Sequence, residues 1–223
     1  MKQMFFITGT DTGAGKTVLT VLLAHFLRAR GIAIAALKPV CSGGREDALA
    51  ICDALGGTLP LDEINPWHFR AAIAPALAAQ REKQTVKLAA VLAHLRATRE
   101  KFDVTLVEGA GGLLSPLGED FDSRDLLAAL RATPVVVAPN KLGAVNHLLL
   151  TLEALPKTLR ARARVVLMSP PKPDPATAAN AELLEQWSAQ QIFKLPWFGD
   201  NFSAGEVLQQ PQMRRRLARL LRI

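Results

Sequence analysis

The chain has 223 residues, 49% of them apolar, with a formal net charge of +7. That suits one globular domain with a sizeable core, and the chain lacks the run of roughly eighteen apolar residues that a membrane-crossing helix needs. The basic excess sits in Arg160, Arg162 and Arg164 and in Arg214, Arg215, Arg216, Arg219 and Arg222; with no tyrosine and few aromatics, a base-stacking nucleic-acid surface is disfavoured.

The apolar stretch Gln3 to Thr8 reads as a buried strand. It is too short for a secretion signal, so the cytoplasm is the expected location. Cys41 and Cys52 suit a reducing compartment, and His25, His68, His94 and His147 lack metal-ligand spacing. Val18 to Arg30 has helical periodicity and stops at Gly31; Ile32 to Leu37 is a second strand, and Glu46 to Leu55 a short helix ending at Gly56-Gly57. Asn65 to Pro75 reads as irregular, Val86 to Lys101 as helix, and Val104 to Val107 as a third strand ending at Glu108-Gly109. Asp122 or Ser123 can cap a helix running through Arg131. Pro134 to Ala138 is a fourth strand, Ala144 to Leu155 a helix, and Arg164 to Met168 a fifth strand. After the proline-rich surface loop Pro170 to Pro175, Ala176 to Gln190 is helical, Ile192 to Leu195 is a short strand, and the tail from Pro211 is helical. Strands alternating with helices predict crossovers, a parallel sheet and an α/β fold covered on both faces. Continuously apolar strands such as Val135-Val136-Val137 fit that burial.

Gly9-Thr10-Asp11-Thr12-Gly13-Ala14-Gly15-Lys16-Thr17 follows a strand and opens a helix, the context of a phosphate-binding P-loop. Glycines let backbone amides approach phosphate oxygens. Lys16 adds a point charge, the Thr17 hydroxyl suits magnesium, and the helix N-terminus attracts anions. Gly9 and Gly15 enclose five residues where the usual pattern has four. A plain strand–turn–helix corner does not require three glycines followed by Lys-Thr. Glu108, between an apolar strand and Gly109-Ala110-Gly111-Gly112, and Asp47, beyond the second strand, are candidate acids for a magnesium–nucleotide site at the carboxyl ends of the strands; Asp47 also reads as a first-turn acid favoured by the helix dipole. Lys38, in Lys38-Pro39-Val40-Cys41-Ser42-Gly43-Gly44, would face the same crevice as Lys16. Two lysines around one phosphate suit phosphoryl transfer.

Taken together, Gly9 to Thr12 with Gly15-Lys16-Thr17, Lys38-Pro39-Val40 with Ser42-Gly43, Val107 to Gly112, and Lys141-Leu142-Gly143 with Asn146-His147 resemble the dethiobiotin synthetase family, with Leu195-Pro196-Trp197 as a further match. The longer phosphate loop is also a feature of that family. The resemblance implies an ATP-dependent, cytoplasmic, single-domain ligase of biotin synthesis, acting on 7,8-diaminononanoate, carbon dioxide and ATP. It implies catalytic roles for Lys16, Lys38 and Thr12, and magnesium held by Thr17, Asp47 and Glu108. Nucleotide contacts would come from Gly13, Ala14, Gly15, Lys16, Thr17 and Val18, from Asp47, and from Glu108, Gly109, Ala110 and Gly111. Thr12 and Ser42 would meet the diamine or its carbamate. The substrate carboxylate would meet the helix start at Gly143, Ala144, Val145 and Asn146 of a partner subunit, implying a homodimer with a shared site. No nucleic acid and no membrane are expected as partners. The family's adenine-reading asparagine has no counterpart in Val165 to Pro171. That leaves two readings: relaxed nucleotide choice, or base recognition through Ser169 and Leu195 to Phe198, which includes Pro196, Trp197 and Phe198.

A rival reading is a switch ATPase of the partition or septum-positioning kind, binding membrane or DNA through the basic C-terminal helix, where Met213, Leu217, Leu220 and Leu221 share a face. Against it, those ATPases carry a lysine five positions before the loop lysine, where this chain has Asp11. A core-packed terminal helix with a solvated basic face is the plainer reading. Amide-forming synthetases of the cobyrinate type share the domain but add a glutamine-hydrolysing domain, for which this chain is too short.

Overall fold

A computed structural model of the protein describes residues 2–199 and 202–223; Met1, at the head of the apolar N-terminal stretch, lies outside them. The main sheet is built from β1 (Gln3–Gly9), β2 (Ile34–Leu37), β5 (Val104–Gly112), β6 (Thr133–Pro139), β7 (Arg164–Met168) and β8 (Gln191–Leu195), in the spatial order β2-β5-β1-β6-β7-β8. Its pairings are parallel throughout the described residues. Phe6, Ile7, Val135, Val136, Val165 and Val166 have no exposed surface; that is why these strands read as unbroken apolar runs rather than as alternating ones.

The chain leaves β1 toward β5 and β2 on one side and later returns to β6, β7 and β8 on the other. The carboxyl end of β1 is therefore the point where the strand order reverses, the place where an open α/β sheet leaves a crevice. Helix α1 (Lys16–Arg28) starts there, with Gly15 at its N-cap in a left-handed conformation, φ +93°. Its Leu19, Leu22, Leu23, Phe26 and Leu27 are buried at helical spacing. Helix α2 (Glu46–Leu55) ends on Gly56 at φ +63°.

Two expectations change. The third sequence strand does not stop at Glu108: β5 continues through Gly112, which pairs with Gly9 after a register shift between Ile7 and Gly9. Glycines often end a strand, but here the irregularity sits in the pairing and the extended backbone continues. The stretch from Asn65 to Pro75 is not wholly irregular either. Residues Trp67–Phe69 form β4, paired in parallel with β3 (Val40–Ser42) as a second, two-stranded sheet. Strands of three residues are too short for periodicity to reveal. Short helices α3 (Leu61–Ile64) and α4 (Pro75–Arg81) frame this small sheet.

Helix α5 (Leu88–Arg99) follows, then α6 (Ser123–Leu130), which is capped by Asp122 accepting from Asp125 N–H at 2.8 Å. Helix α7 (Ala144–Ala154) opens at Gly143, φ +87°; α8 (Lys157–Arg160) is a single turn. Helix α9 (Pro175–Trp187) is capped by Asp174, α10 (Ala204–Val207) is short, and α11 (Pro211–Leu221) closes the described chain. The apolar stripe of α11 is in the core: Met213, Leu217, Leu220 and Leu221 are at most 4% exposed. The face the rival reading would lay on a membrane is already covered. No helix among the described residues is long and apolar enough to cross a membrane.

Candidate functional site

The carboxyl ends of β1, β2 and β5 bring the predicted residues to one cleft of about 790 Å³. Thr12, Gly13, Gly15, Lys16, Thr17 and Val18 line it from the phosphate loop, Lys38 and Ser42 from beyond β2, Asp47 from α2, and Ala110 and Gly111 from β5. The opposite wall is Ala72, Ile73, Ala74 and Pro75, an apolar surface that the sequence did not announce.

Beneath the cleft lies a compact polar cluster. Glu108 has no exposed surface, and Lys38 and Lys16 are 4% and 6% exposed. Lys38 Nζ donates to Glu108 Oε1 at 2.7 Å and to Asp47 Oδ2 at 2.5 Å. The Thr17 hydroxyl donates to the same Glu108 Oε1 at 2.8 Å. Asp47 stands in the first turn of α2, where the helix dipole favours it, with its side chain half exposed. Asp47 is thus both a first-turn acid and a residue that lines the cleft.

Burial disfavours the charge on both lysines, with different outcomes. For Lys16 burial prevails over the attraction of Glu108, and its pKa falls below the ordinary lysine value. The Lys16 ammonium donates to the Asp11 carbonyl at 2.9 Å and touches no carboxylate. For Lys38 the carboxylates of Glu108 and Asp47 outweigh burial and raise its pKa. Asp47 is itself held low, because the pull of Lys38 exceeds the cost of burial. Lys38 is a fixed cation, whereas Lys16 lacks the anion that would compensate its burial, and phosphate oxygens would supply it.

The donor set fits magnesium. Thr17, Asp47 and Glu108 offer only oxygen, as a hard cation requires. Among the described residues no group of three or more His, Cys, Asp or Glu side chains forms a metal cage. Two carboxylates and a hydroxyl suit an ion that completes its shell with phosphates and water.

Other predicted residues are dispersed. Gly109 faces inward: a Cβ there would come within 3.2 Å of Phe6 Cε1 and Ser123 Oγ. Ala14 is buried. Gly143, Ala144, Val145 and Asn146 stand at the start of α7 and do not line the cleft of their own chain. Ser169 and Pro196 border a separate cavity of about 360 Å³ together with Asn140. Trp197 is half exposed, and the Phe198 ring packs against Phe202 at 5.3 Å; neither lines that cavity. Three side-chain amides border it as well, Asn140, Gln210 and Gln212; that of Asn140 is committed to the Thr177 carbonyl and to Asn180, at 2.9 Å each. Sequence reading missed Thr20, whose hydroxyl lies 2.6 Å from Glu108 Oε2. Its one signal was its place three residues beyond Thr17 on the same helix face.

A strand, a glycine-rich loop opening a helix, Lys16-Thr17, and a buried acid on the neighbouring strand together define a P-loop nucleotide-binding α/β protein. A family model described as an AAA domain matches residues 3–200. The ATP-dependent dethiobiotin synthetase of Anaeromyxobacter dehalogenans (strain 2CP-C) is 41% identical over 201 residues, covering 87% of this chain and 90% of that one. That of Methanocaldococcus jannaschii is 41% identical over 156 residues, covering 68% and 73%. The chain belongs to the ATP-dependent dethiobiotin synthetase family. A ParA family ATPase from Chlorobium tepidum TLS superposes with a TM-score of 0.61 at 14% identity, over 100% of this chain and 98% of that one. A pNOB8 ParA bound to nonspecific DNA gives 0.60 at 13%, over 100% and 99%. At such identities these two likenesses concern the fold alone.

Proposed function

We propose that this protein is an ATP-dependent dethiobiotin synthetase that closes a cyclic urea on 7,8-diaminononanoate, acting as one domain in the cytoplasm. The observation that carries this reading is the pairing of two buried lysines with an apolar wall in one cleft. The two anions that must meet, a carbamate and the γ-phosphate, repel each other, and cations fixed in a partly dry site offset that repulsion. One amine of the substrate adds to carbon dioxide and loses a proton, forming the carbamate. A carbamate oxygen then attacks the γ-phosphorus and ADP leaves. The second amine attacks the carbonyl carbon of the mixed anhydride, phosphate leaves, and the cyclic urea closes.

Lys16 and Lys38 hold the charge that develops during transfer, while Thr12 and Ser42 orient the diamine. Ser42 Oγ donates to the Ile73 carbonyl at 2.5 Å, which places its hydroxyl beside the apolar wall that suits the aliphatic chain of the substrate. Thr17, Asp47 and Glu108 would hold magnesium, which would supply neutralisation of the phosphate charge. The base is read at Ser169 and Pro196, and Val165 to Pro171 holds no asparagine to select it, which favours relaxed nucleotide choice.

The substrate carboxylate is received by the helix start from Gly143 to Asn146 of a second copy, making a homodimer with no nucleic-acid or membrane partner. Two features support that arrangement: the absence of this helix start from the cleft of its own chain, and the 81% and 62% exposure of Leu142 and Leu150 beside it. The test is phosphate release from magnesium–ATP with and without diamine and bicarbonate. Release that needs both, with dethiobiotin identified by mass spectrometry, is the expected result. Release that ignores the diamine but responds to vesicles or DNA would overturn the reading.

A further inference from the structure

Glu108 is a wholly buried carboxylate that has to present one particular oxygen upward. Its Oε1 receives Thr17 and Lys38, the two partners that face the cleft. Among the described residues its Oε2 receives a single donor, the Thr20 hydroxyl at 2.6 Å. Thr20 has no exposed surface and lies on α1, one turn beyond Thr17. We propose that Thr20 is a positioning residue: it clamps Glu108 Oε2 so that Oε1 is presented to the Thr17 hydroxyl, the Lys38 ammonium and the cation that accompanies the nucleotide. The inference rests on the reading of Glu108 as part of the metal site.

A threonine inside a helix has an ordinary alternative, a bond from its hydroxyl to the carbonyl one turn back. Here that carbonyl, Lys16 O, lies at 2.9 Å. A hydroxyl has one proton, so the two acceptors compete. The carboxylate is closer and charged, and a charge-assisted hydrogen bond is roughly twice as strong as a neutral one. Without Thr20, a buried carboxylate oxygen would lose the Thr20 hydroxyl as its donor, and the carboxylate could rotate about its last torsion, which is broad and soft. The rotation would withdraw Oε1 from Thr17 and Lys38 together. Thr20 therefore acts on the site through Glu108 and touches neither nucleotide nor diamine.

The test compares Thr20→Val, which keeps the shape and removes the donor, with Thr20→Ser, which keeps the donor, and Thr20→Ala as a second donor-free variant should the valine fold poorly. Binding of a fluorescent ATP analogue is titrated with magnesium, and kcat and KM for the diamine are measured on the same samples, alongside melting curves. Thr20→Val and Thr20→Ala are expected to need about tenfold more magnesium for half-maximal nucleotide binding and to lose kcat with little change in diamine KM. Thr20→Ser should restore both. Donor-free variants that match the unaltered protein in magnesium requirement and kcat would reduce Thr20 to helix packing. Serine as poor as valine would have the same meaning, because shape rather than the donor would then be decisive. Glu108→Gln separates the two layers of the argument. If it leaves the magnesium requirement unchanged, the metal-site reading of Glu108 fails; if it raises the requirement while Thr20→Val does not, the positioning role of Thr20 alone fails.

Discussion

Glu108 and Lys38 form an ion pair with almost no access to water. Such a pair contributes little net stability over apolar residues of the same size, yet removing one partner strands the other as an uncompensated buried charge, at about 3–5 kcal/mol. Lys38→Met should therefore abolish turnover and also lower the melting temperature markedly. Adding Glu108→Gln to it should recover most of the lost stability without recovering activity. Urea unfolding of the two single variants and the double variant measures the coupling; purely additive losses would mean that the pair is not coupled. The pH dependence has a definite sign. The raised pKa of Lys38 means that its stabilising contribution is full below the ordinary lysine value of 10.5 and is lost as pH rises through the folded-state value. Lys16, shifted downward, acts in the opposite sense, so the Lys38 contribution is the difference between the unaltered protein and Lys38→Met on the alkaline limb. Asp47, held low, gives a contribution present above 3.8 and lost as pH falls. At this scale Lys16, Thr17, Lys38 and Glu108 were legible because each stands beside glycines or prolines that break a strand or helix pattern. Thr20 was not, because a threonine on a helix carries no local sign of what it faces across the structure.

The phosphate loop shows how an element is held to its shape. Gly15 sits at φ +93°, and a Cβ there would come within 2.9 Å of Met168 Cγ at the end of β7. Gly15→Ala therefore combines backbone strain with a clash, and should weaken nucleotide binding at least tenfold; trimming Met168 to alanine in the same chain should relieve only the clash. Titration with a fluorescent ATP analogue checks this, and full rescue by Met168→Ala would show that steric contact rather than φ governs the loop. Elsewhere, periodicity located the long elements well: α7 and β7 start where the sequence placed them, because their core contacts repeat at helical or strand spacing. The continuation of β5 through Gly112 escaped it, since that stretch is stabilised by pairing with Gly9 across the sheet rather than by its own side chains. The β3–β4 sheet escaped it for a related reason: three residues hold barely one repeat of the two-residue strand alternation, too little to register.

For the molecule as a whole, the implied shared site makes a firm demand. If α7 of one copy completes the cleft of another, the protein should sediment at twice the chain mass. Leu150→Asp should then replace the exposed leucine of α7 by a charge and give a monomer that binds ATP but closes no ring. Sedimentation and turnover on one sample check this; an active monomer would remove the partner from the mechanism. The sequence by itself determined the α/β class, the parallel sheet, the phosphate loop and its family, because each is carried by residues near one another in the chain: alternating apolar runs, a glycine-rich corner, an acid at a strand end. The tertiary structure alone decided which side chains meet. It joined Lys38 to Glu108 across 70 positions and Thr20 to Glu108 across 88, set Ile73 against Ser42, and buried the apolar face of α11. Those contacts depend on how the sheet orders its strands, and strand order is fixed by the packing of the whole core rather than by any segment within it.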